Sequence, residues 1–142
     1  MNEGLELEAR DKNGNTPLHR AAARGNTRIR ERLVDRGADL SAVNNRGQTP
    51  LLVSIVTEYR FERLEILLER GSNVQLADND GNTALHLAVG RYPRSVAEQI
   101  IRNGGDVNAV NVHGRTPLHE AAASLAFSSQ SVIRVQIGRA HV

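Results

Sequence analysis

Apolar residues fall along this chain in short clusters that return at a fixed interval. Leu18, Ala21 and Ala22 form one cluster, and Leu118, Ala121 and Ala122 form another with the same spacing. Residues three and four apart share a helix face, so each cluster predicts a short helix with one narrow apolar stripe. A second cluster comes behind the first in each interval: Ile29, Leu33 and Val34, then Leu64, Leu67 and Leu68, then Ile100 and Ile101. These predict a second helix. Beyond it, Leu40, Val74 and Val107 are expected in extended pieces where apolar and polar residues alternate. The pattern predicts an all-α chain of turn, helix, helix, turn units.

The punctuation between clusters repeats as well. Gly14, Gly47, Gly81 and Gly114 are 33, 34 and 33 residues apart, and Thr16, Thr49, Thr83 and Thr116 stand two residues after them. Gly4, Gly37, Gly71 and Gly104 keep the same frame ten residues earlier. Asp or Asn near a Gly suits a tight turn. Thr is a good N-cap, and Pro fits the first helical position, where its missing N–H costs nothing. A Gly after the second helix reads as its C-terminal cap.

The copies read Asp11-Lys-Asn-Gly-Asn-Thr-Pro-Leu-His19, Asn44-Asn-Arg-Gly-Gln-Thr-Pro-Leu-Leu52, Asp78-Asn-Asp-Gly-Asn-Thr-Ala-Leu-His86 and Asn111-Val-His-Gly-Arg-Thr-Pro-Leu-His119. This resembles the ankyrin repeat, a unit of roughly 33 residues carrying Thr-Pro-Leu-His-x-Ala. The resemblance covers nearly all of residues 4–135 and implies an α-solenoid of helix-turn-helix units joined by hairpin-like turns. We read a partial unit over 1–10, full repeats over 11–43, 44–77 and 78–110, and an incomplete one over 111–135. Leu52 departs from the motif in repeat two and Ala84 in repeat three, and the helix–helix turns vary over Thr57 to Phe61 and Arg91 to Arg94. These departures are expected to weaken local capping.

Both ends look cut. Met1 falls where Val34, Leu68 and Ile101 sit, so it reads equally as a true start or as an internal residue of an earlier unit. At the other end, Val132-Ile-Arg-Val135 suits the opening of a second helix, but the frame fails at Gln136. Residues 137–142 resemble the translation of a common sequencing adapter, so 136–142 is expected to be a non-native tail.

Composition narrows the function. The chain has 142 residues, 39% apolar and 24% charged, with no cysteine. That removes disulfide frameworks, thiol catalysis and cysteine-ligated metals. No apolar run is long enough for a membrane span, and no basic start leads into an apolar secretory signal. A cytoplasmic or nuclear setting is the expectation. The pI of about 9.7 overstates the charge, because 18 cations against 16 anions leave only +2. Aromatics are scarce, which argues against base stacking and a nucleic-acid partner.

No catalytic constellation stands out. His19, His86 and His119 recur once per repeat, which spreads them along the array; the resemblance implies that they hydrogen-bond between neighbouring turns. His119-Glu120 lacks a second histidine at 123, so it is no zinc motif. The serines over 124–131 lack a Gly-x-Ser-x-Gly elbow, and Gly104-Gly105 lacks the Gly-Lys-Ser/Thr of a phosphate loop. Glu65 and Glu69, beside Arg63 and Arg70, read as a solvated helix face. No enzyme activity, cofactor, metal or small-molecule substrate is expected.

The expected partner is another protein, met by a monomeric chain. The resemblance implies contact through turn tips and the concave face of the first helices. Repeat one then offers Arg10, Lys12, Asn13, Asn15 and Arg24, and repeat two Asn45, Arg46, Gln48 and Thr57. Repeat three offers Asn79, Asp80, Asn82 and Arg91, and repeat four Val112, His113 and Arg115. These positions vary between copies while the scaffold positions do not. Two other readings stand beside this one. Arg20, Arg24, Arg28, Arg30, Arg32 and Arg36 form a basic cluster that suits an acidic or phosphorylated partner, or else a solvated face with local ion pairs. The chain also suits the targeting region of a larger enzyme or signalling protein. Tyr59 and Tyr92, near the helix–helix turns, read equally as contact anchors or as packing.

Overall fold

The computed structural model describes residues 6–57, 62–89 and 91–123, without the side chains of Glu62 and Arg63. Expectations for Met1, Tyr59, Phe61, the serines over 124–131 and the tail over 136–142 fall outside these residues. The described residues hold seven helices and no strand: α1 (Pro17–Arg24), α2 (Thr27–Asp35), α3 (Pro50–Thr57), α4 (Glu62–Glu69), α5 (Ala84–Ala88), α6 (Arg94–Arg102) and α7 (Pro117–Ala123). The fold is all-α, in helix pairs, as the periodicity predicts. The chain divides into two compact units, Met1–Asn73 with α1–α4 and Val74–Val142 with α5–α7.

The first helices start where the caps dictate. Thr16 is extended and its Oγ1 accepts the His19 backbone N–H at 3.4 Å, while the His19 Nδ1 accepts the Thr16 N–H at 3.0 Å. This reciprocal arrangement satisfies two donors that a helix start otherwise leaves without partners. Thr83 and His86 repeat it at α5, so Ala84 in place of proline leaves that cap intact. In α3 only half survives: Thr49 Oγ1 still takes the Leu52 N–H at 3.2 Å, but Leu52 has no nitrogen to return the bond.

The second helices all close the same way. Gly37 N–H donates to Val34 and Ala38 N–H to Leu33, and the same pair of bonds recurs at Gly71 with Ser72 and at Gly104 with Gly105. These crossed bonds satisfy the last carbonyls and stop each helix.

In the first unit α1 packs on α2 and α3, and α4 packs on α2 and α3. Leu18, Ala22, Leu51, Ile55, Leu64 and Leu67 fill the space between them. In the second unit α5 packs on α6 and α7 around Leu85, Val89, Val96 and Ile100. Each fully buried leucine of this kind contributes about 1.5–3 kcal/mol.

Three expectations need correction. Ile29 was expected on the apolar stripe of α2, yet it is 48% exposed and Arg30 takes the inward position at 0%. Arg30 shares its face with Val34, four residues on, and the repeat frame puts it where Leu64 and Ala97 stand. Leu40, Val74 and Val107 lie in turns rather than in extended pieces. Asp39 and Asp106 accept the backbone N–H two residues on, from Ser41 and Asn108 at 2.9 Å each, and this bends the chain. Finally, α7 buries Ala121 but leaves Leu118 half-buried and Ala122 exposed. Tyr92 is buried, which settles its role as packing.

Candidate functional site

The turns that precede the first helices are built on one carboxylate or amide each. Asp11 Oδ1 accepts the N–H groups of Asn13 and Asn15, both at 2.9 Å, while Gly14 N–H returns to the Asp11 carbonyl. Asn44, Asp78 and Asn111 repeat this on their own turns. An oxygen that holds two N–H groups favours the ionised carboxylate, and the Asn15 N–H is the main cause that holds Asp11 below its ordinary range.

Within the first unit, successive turns are laced together. Asn45 N–H donates to the Asn13 carbonyl at 3.0 Å, Asn45 Nδ2 to the Lys12 carbonyl at 3.2 Å, and Asn44 Nδ2 to Asn15 Oδ1 at 2.9 Å. Arg10 Nη1 reaches the Gly14 carbonyl at 2.9 Å and the Val43 carbonyl at 2.6 Å. His19 Nδ1 accepts a backbone N–H, so the ring proton sits on Nε2, which donates to the Gln48 carbonyl at 2.7 Å. The second unit has matching bonds. Val112 N–H reaches the Asp80 carbonyl at 3.0 Å, Asn111 Nδ2 reaches Asn82 Oδ1 at 2.9 Å, and His86 Nε2 reaches the Arg115 carbonyl at 2.9 Å.

Both ring nitrogens of His19 and of His86 are therefore engaged in the scaffold. Burial is the main cause that lowers the His19 pKa, which keeps the ring neutral.

The expected contact residues divide accordingly. Arg10, Asn15, Asn45 and Asn82 carry side-chain bonds of the lacing just described, Asn13 and Gln48 enter it through their carbonyls, and Gln48 Oε1 accepts from Asn44 Nδ2 within its own turn at 3.0 Å. Thr57 turns its hydroxyl back to the Val53 carbonyl at 2.7 Å. Arg115 lies 3.9 Å from Glu120. Lys12, Arg24, Arg46, Asn79, Asp80, Arg91, Val112 and His113 are exposed. Val112, at 63%, is the most exposed large apolar side chain among the described residues.

Between the first two turns lies a depression of about 250 Å³. Arg20 and Arg46 line it together with side-chain amides and with Ala23 and Val53. Arg20 was read only as part of the basic helix cluster; that two arginines from successive repeats share one depression is a tertiary fact without a local signal. The cluster itself is thinner than the sequence suggests. Arg30 points inward and bonds Ser54, and Arg20 Nη1 is paired with Asp11 Oδ2 at 3.0 Å. Arg24, Arg28 and Arg32 are exposed, as is the paired Arg20.

No group of His, Asp and Glu among the described residues is arranged to hold a metal ion, and no helix among them is long and apolar enough to cross a membrane.

Helix pairs, capped by a threonine and closed by a glycine, with His19 and His86 bonded to the next turn, define a helical repeat protein. The family model for ankyrin repeats (3 copies) matches residues 1–78 and 56–135, and the chain belongs to the ankyrin-repeat family. The human neurogenic locus notch homolog protein 2 is 34% identical over 122 residues, 85% of this chain and 5% of that protein. The mouse B-cell lymphoma 3 protein homolog is 32% identical over 136 residues, 96% of this chain and 29% of that protein. The notch homolog protein 1 of Xenopus tropicalis is 31% identical over 124 residues, 87% of this chain and 5% of that protein. The chain thus spans less than a third of these relatives. Repeats of this family bind other proteins.

Proposed function

We propose that this chain is a non-catalytic recognition module that binds a protein partner through the turn tips and first-helix faces of its repeats. The observation that carries the reading is a division of labour within each turn. One Asp or Asn oxygen and, in three repeats, one histidine build the scaffold, while the side chains at the tips differ from copy to copy and face solvent. A fold that needs only the anchor leaves the tips open to specialise. Family membership supports the same reading, although fold alone does not assign a partner. The short share of each relative that the chain covers favours its being one recognition region of a larger protein, and the family match over 1–78 and 56–135 supports bounds of 1–135 for it.

The test is charge reversal at three tips. Lys12→Glu, Arg46→Glu and Arg115→Glu together are expected to abolish capture of a partner selected against the intact chain, with far-UV circular dichroism unchanged. Undiminished capture by the triple variant overturns the turn-tip surface.

A further inference from the structure

The depression between the first two turns has two cations on its walls, and no carboxylate among the described residues lines it. Arg20 is partly offset by Asp11, whose Oδ2 it meets at 3.0 Å. Arg46 comes from the next repeat and has no ion-pair partner among the described residues. The other lining side chains are neutral, chiefly amides such as Asn13 and Asn45, with Ala23 and Val53 as the apolar members. Guanidinium groups supply several donors for an oxygen acid and match the planar fork of a carboxylate.

Size decides the kind of occupant. A volume of about 250 Å³ falls below the roughly 300–1,000 Å³ of small-molecule sites, and those are mostly apolar. It suits one inserted side chain. A nucleic acid would need a longer row of cations than the two that line this depression.

We propose that this depression receives a single Asp or Glu side chain from an acidic segment of the partner protein, with Arg46 as its ion-pair donor and Arg20 as the second cation. The proposal rests on the reading that turn tips face the partner, and it adds the chemistry of one contact. Arg46, with no internal carboxylate to satisfy, is the cation left available. Arg20, partly offset by Asp11, adds a weaker attraction beside it.

A random peptide library displayed against the intact chain tests it, followed by fluorescence polarisation of the recovered peptides. The peptides are expected to share an acidic position. Replacing that acid by its amide should weaken binding by about tenfold or more, as should Arg46→Gln, and the two changes together should cost little more than either alone. Arg102→Gln, at an exposed cation on α6, should leave affinity unchanged. Circular dichroism of Arg46→Gln confirms that the fold persists. The proposal falls if no peptide is recovered, if no acidic position emerges, if Arg46→Gln binds as the wild type does, or if Arg102→Gln loses as much. Peptides that lack an acid but are lost by the triple tip variant overturn this contact and leave the turn-tip surface standing. Peptides insensitive to the triple variant overturn both.

Discussion

Arg30 and Ser54 are both fully buried, and Arg30 Nη1 donates to Ser54 Oγ across 3.0 Å. Arg30 also reaches Thr27 Oγ1 at 3.3 Å. In the repeat frame Arg30 stands where Leu64 and Ala97 stand, and Ser54 stands where Ala21, Ala88 and Ala121 stand. Two polar departures from an apolar scheme thus meet in one place, between α2 and α3. The guanidinium keeps its charge at any ordinary pH, so its acceptors matter.

Ser54→Ala is therefore expected to cost about 1–3 kcal/mol, because it removes an acceptor from a buried cation. Arg30→Leu with Ser54→Ala restores the apolar pairing of the other repeats and should recover to within about 1 kcal/mol of the wild type, or exceed it. Urea unfolding of the two single variants and the double variant provides the thermodynamic cycle. Losses that simply add would show that the two residues are not coupled.

The neutral His19 ring makes stability depend on pH with a definite sign. Its folded pKa lies below the ordinary 6.5, mainly through burial, so the unfolded chain takes up this proton first. Stability rises with pH wherever the unfolded state binds more protons. The His19 contribution is therefore fully present above about pH 6.5 and is lost as pH falls from there through the folded pKa. His19→Leu, which copies Leu52, should cost about 1–3 kcal/mol at pH 7 by leaving the Gln48 carbonyl and Thr16 N–H without this partner. It should also lose less stability than the wild type between pH 7 and pH 5. Equal slopes for the two proteins in that window would contradict the buried, neutral ring.

Much of this fold was legible because local chemistry repeats. Thr16, Gly14 and Leu18 each carry a local rule, and four copies in register leave little room for another period. What escaped notice was tertiary. Ile29 is apolar and Arg30 is not, so binary patterning puts the wrong residue inward; only the register with Leu64 and Ala97 reveals the exchange. The turns at Leu40 and Val107 read from hydropathy as extended pieces because their Asp39 and Asp106 anchors act through side-chain oxygens, which hydropathy does not register. At the candidate site the side chains of Arg10 and Asn45 are laced into the scaffold, which the sequence does not reveal, since a polar residue at a turn looks the same whether it bonds solvent or a neighbouring carbonyl.

Two turn glycines with the same backbone conformation should respond differently to alanine. Gly81 has φ 77° and Gly114 has φ 74°, both left-handed. A Cβ at Gly81 would lie 2.9 Å from the Asn111 Cα and 2.9 Å from the Val112 N, which are backbone atoms that cannot swing away. At Gly114 nothing among the described residues lies within 4 Å. Gly114→Ala should cost only the left-handed penalty of about 1–2 kcal/mol. Gly81→Ala should cost more, because the Val112 to Asp80 bond at 3.0 Å must also shift. Thermal unfolding of the two variants checks this, and equal losses would mean that the close approach carries no energy.

The last described helix should open more readily than its counterpart in the same unit. α5 buries Ala84, Leu85, His86 and Ala88, and its histidine spans to the Arg115 carbonyl. α7 begins with the same cap, Thr116 N–H to His119 Nδ1 at 2.9 Å, yet His119 is exposed and its Nε2 has no carbonyl partner among the described residues. Only Pro117 and Ala121 are buried there. A repeat is stabilised largely by its neighbours, so a helix with little buried surface and no histidine rung opens at low cost. Amide exchange in 120–123 is expected to be faster than in 87–89, and the gap should narrow as denaturant brings global unfolding into play. Protection in α7 equal to that in α5 would show that other contacts hold the fourth repeat.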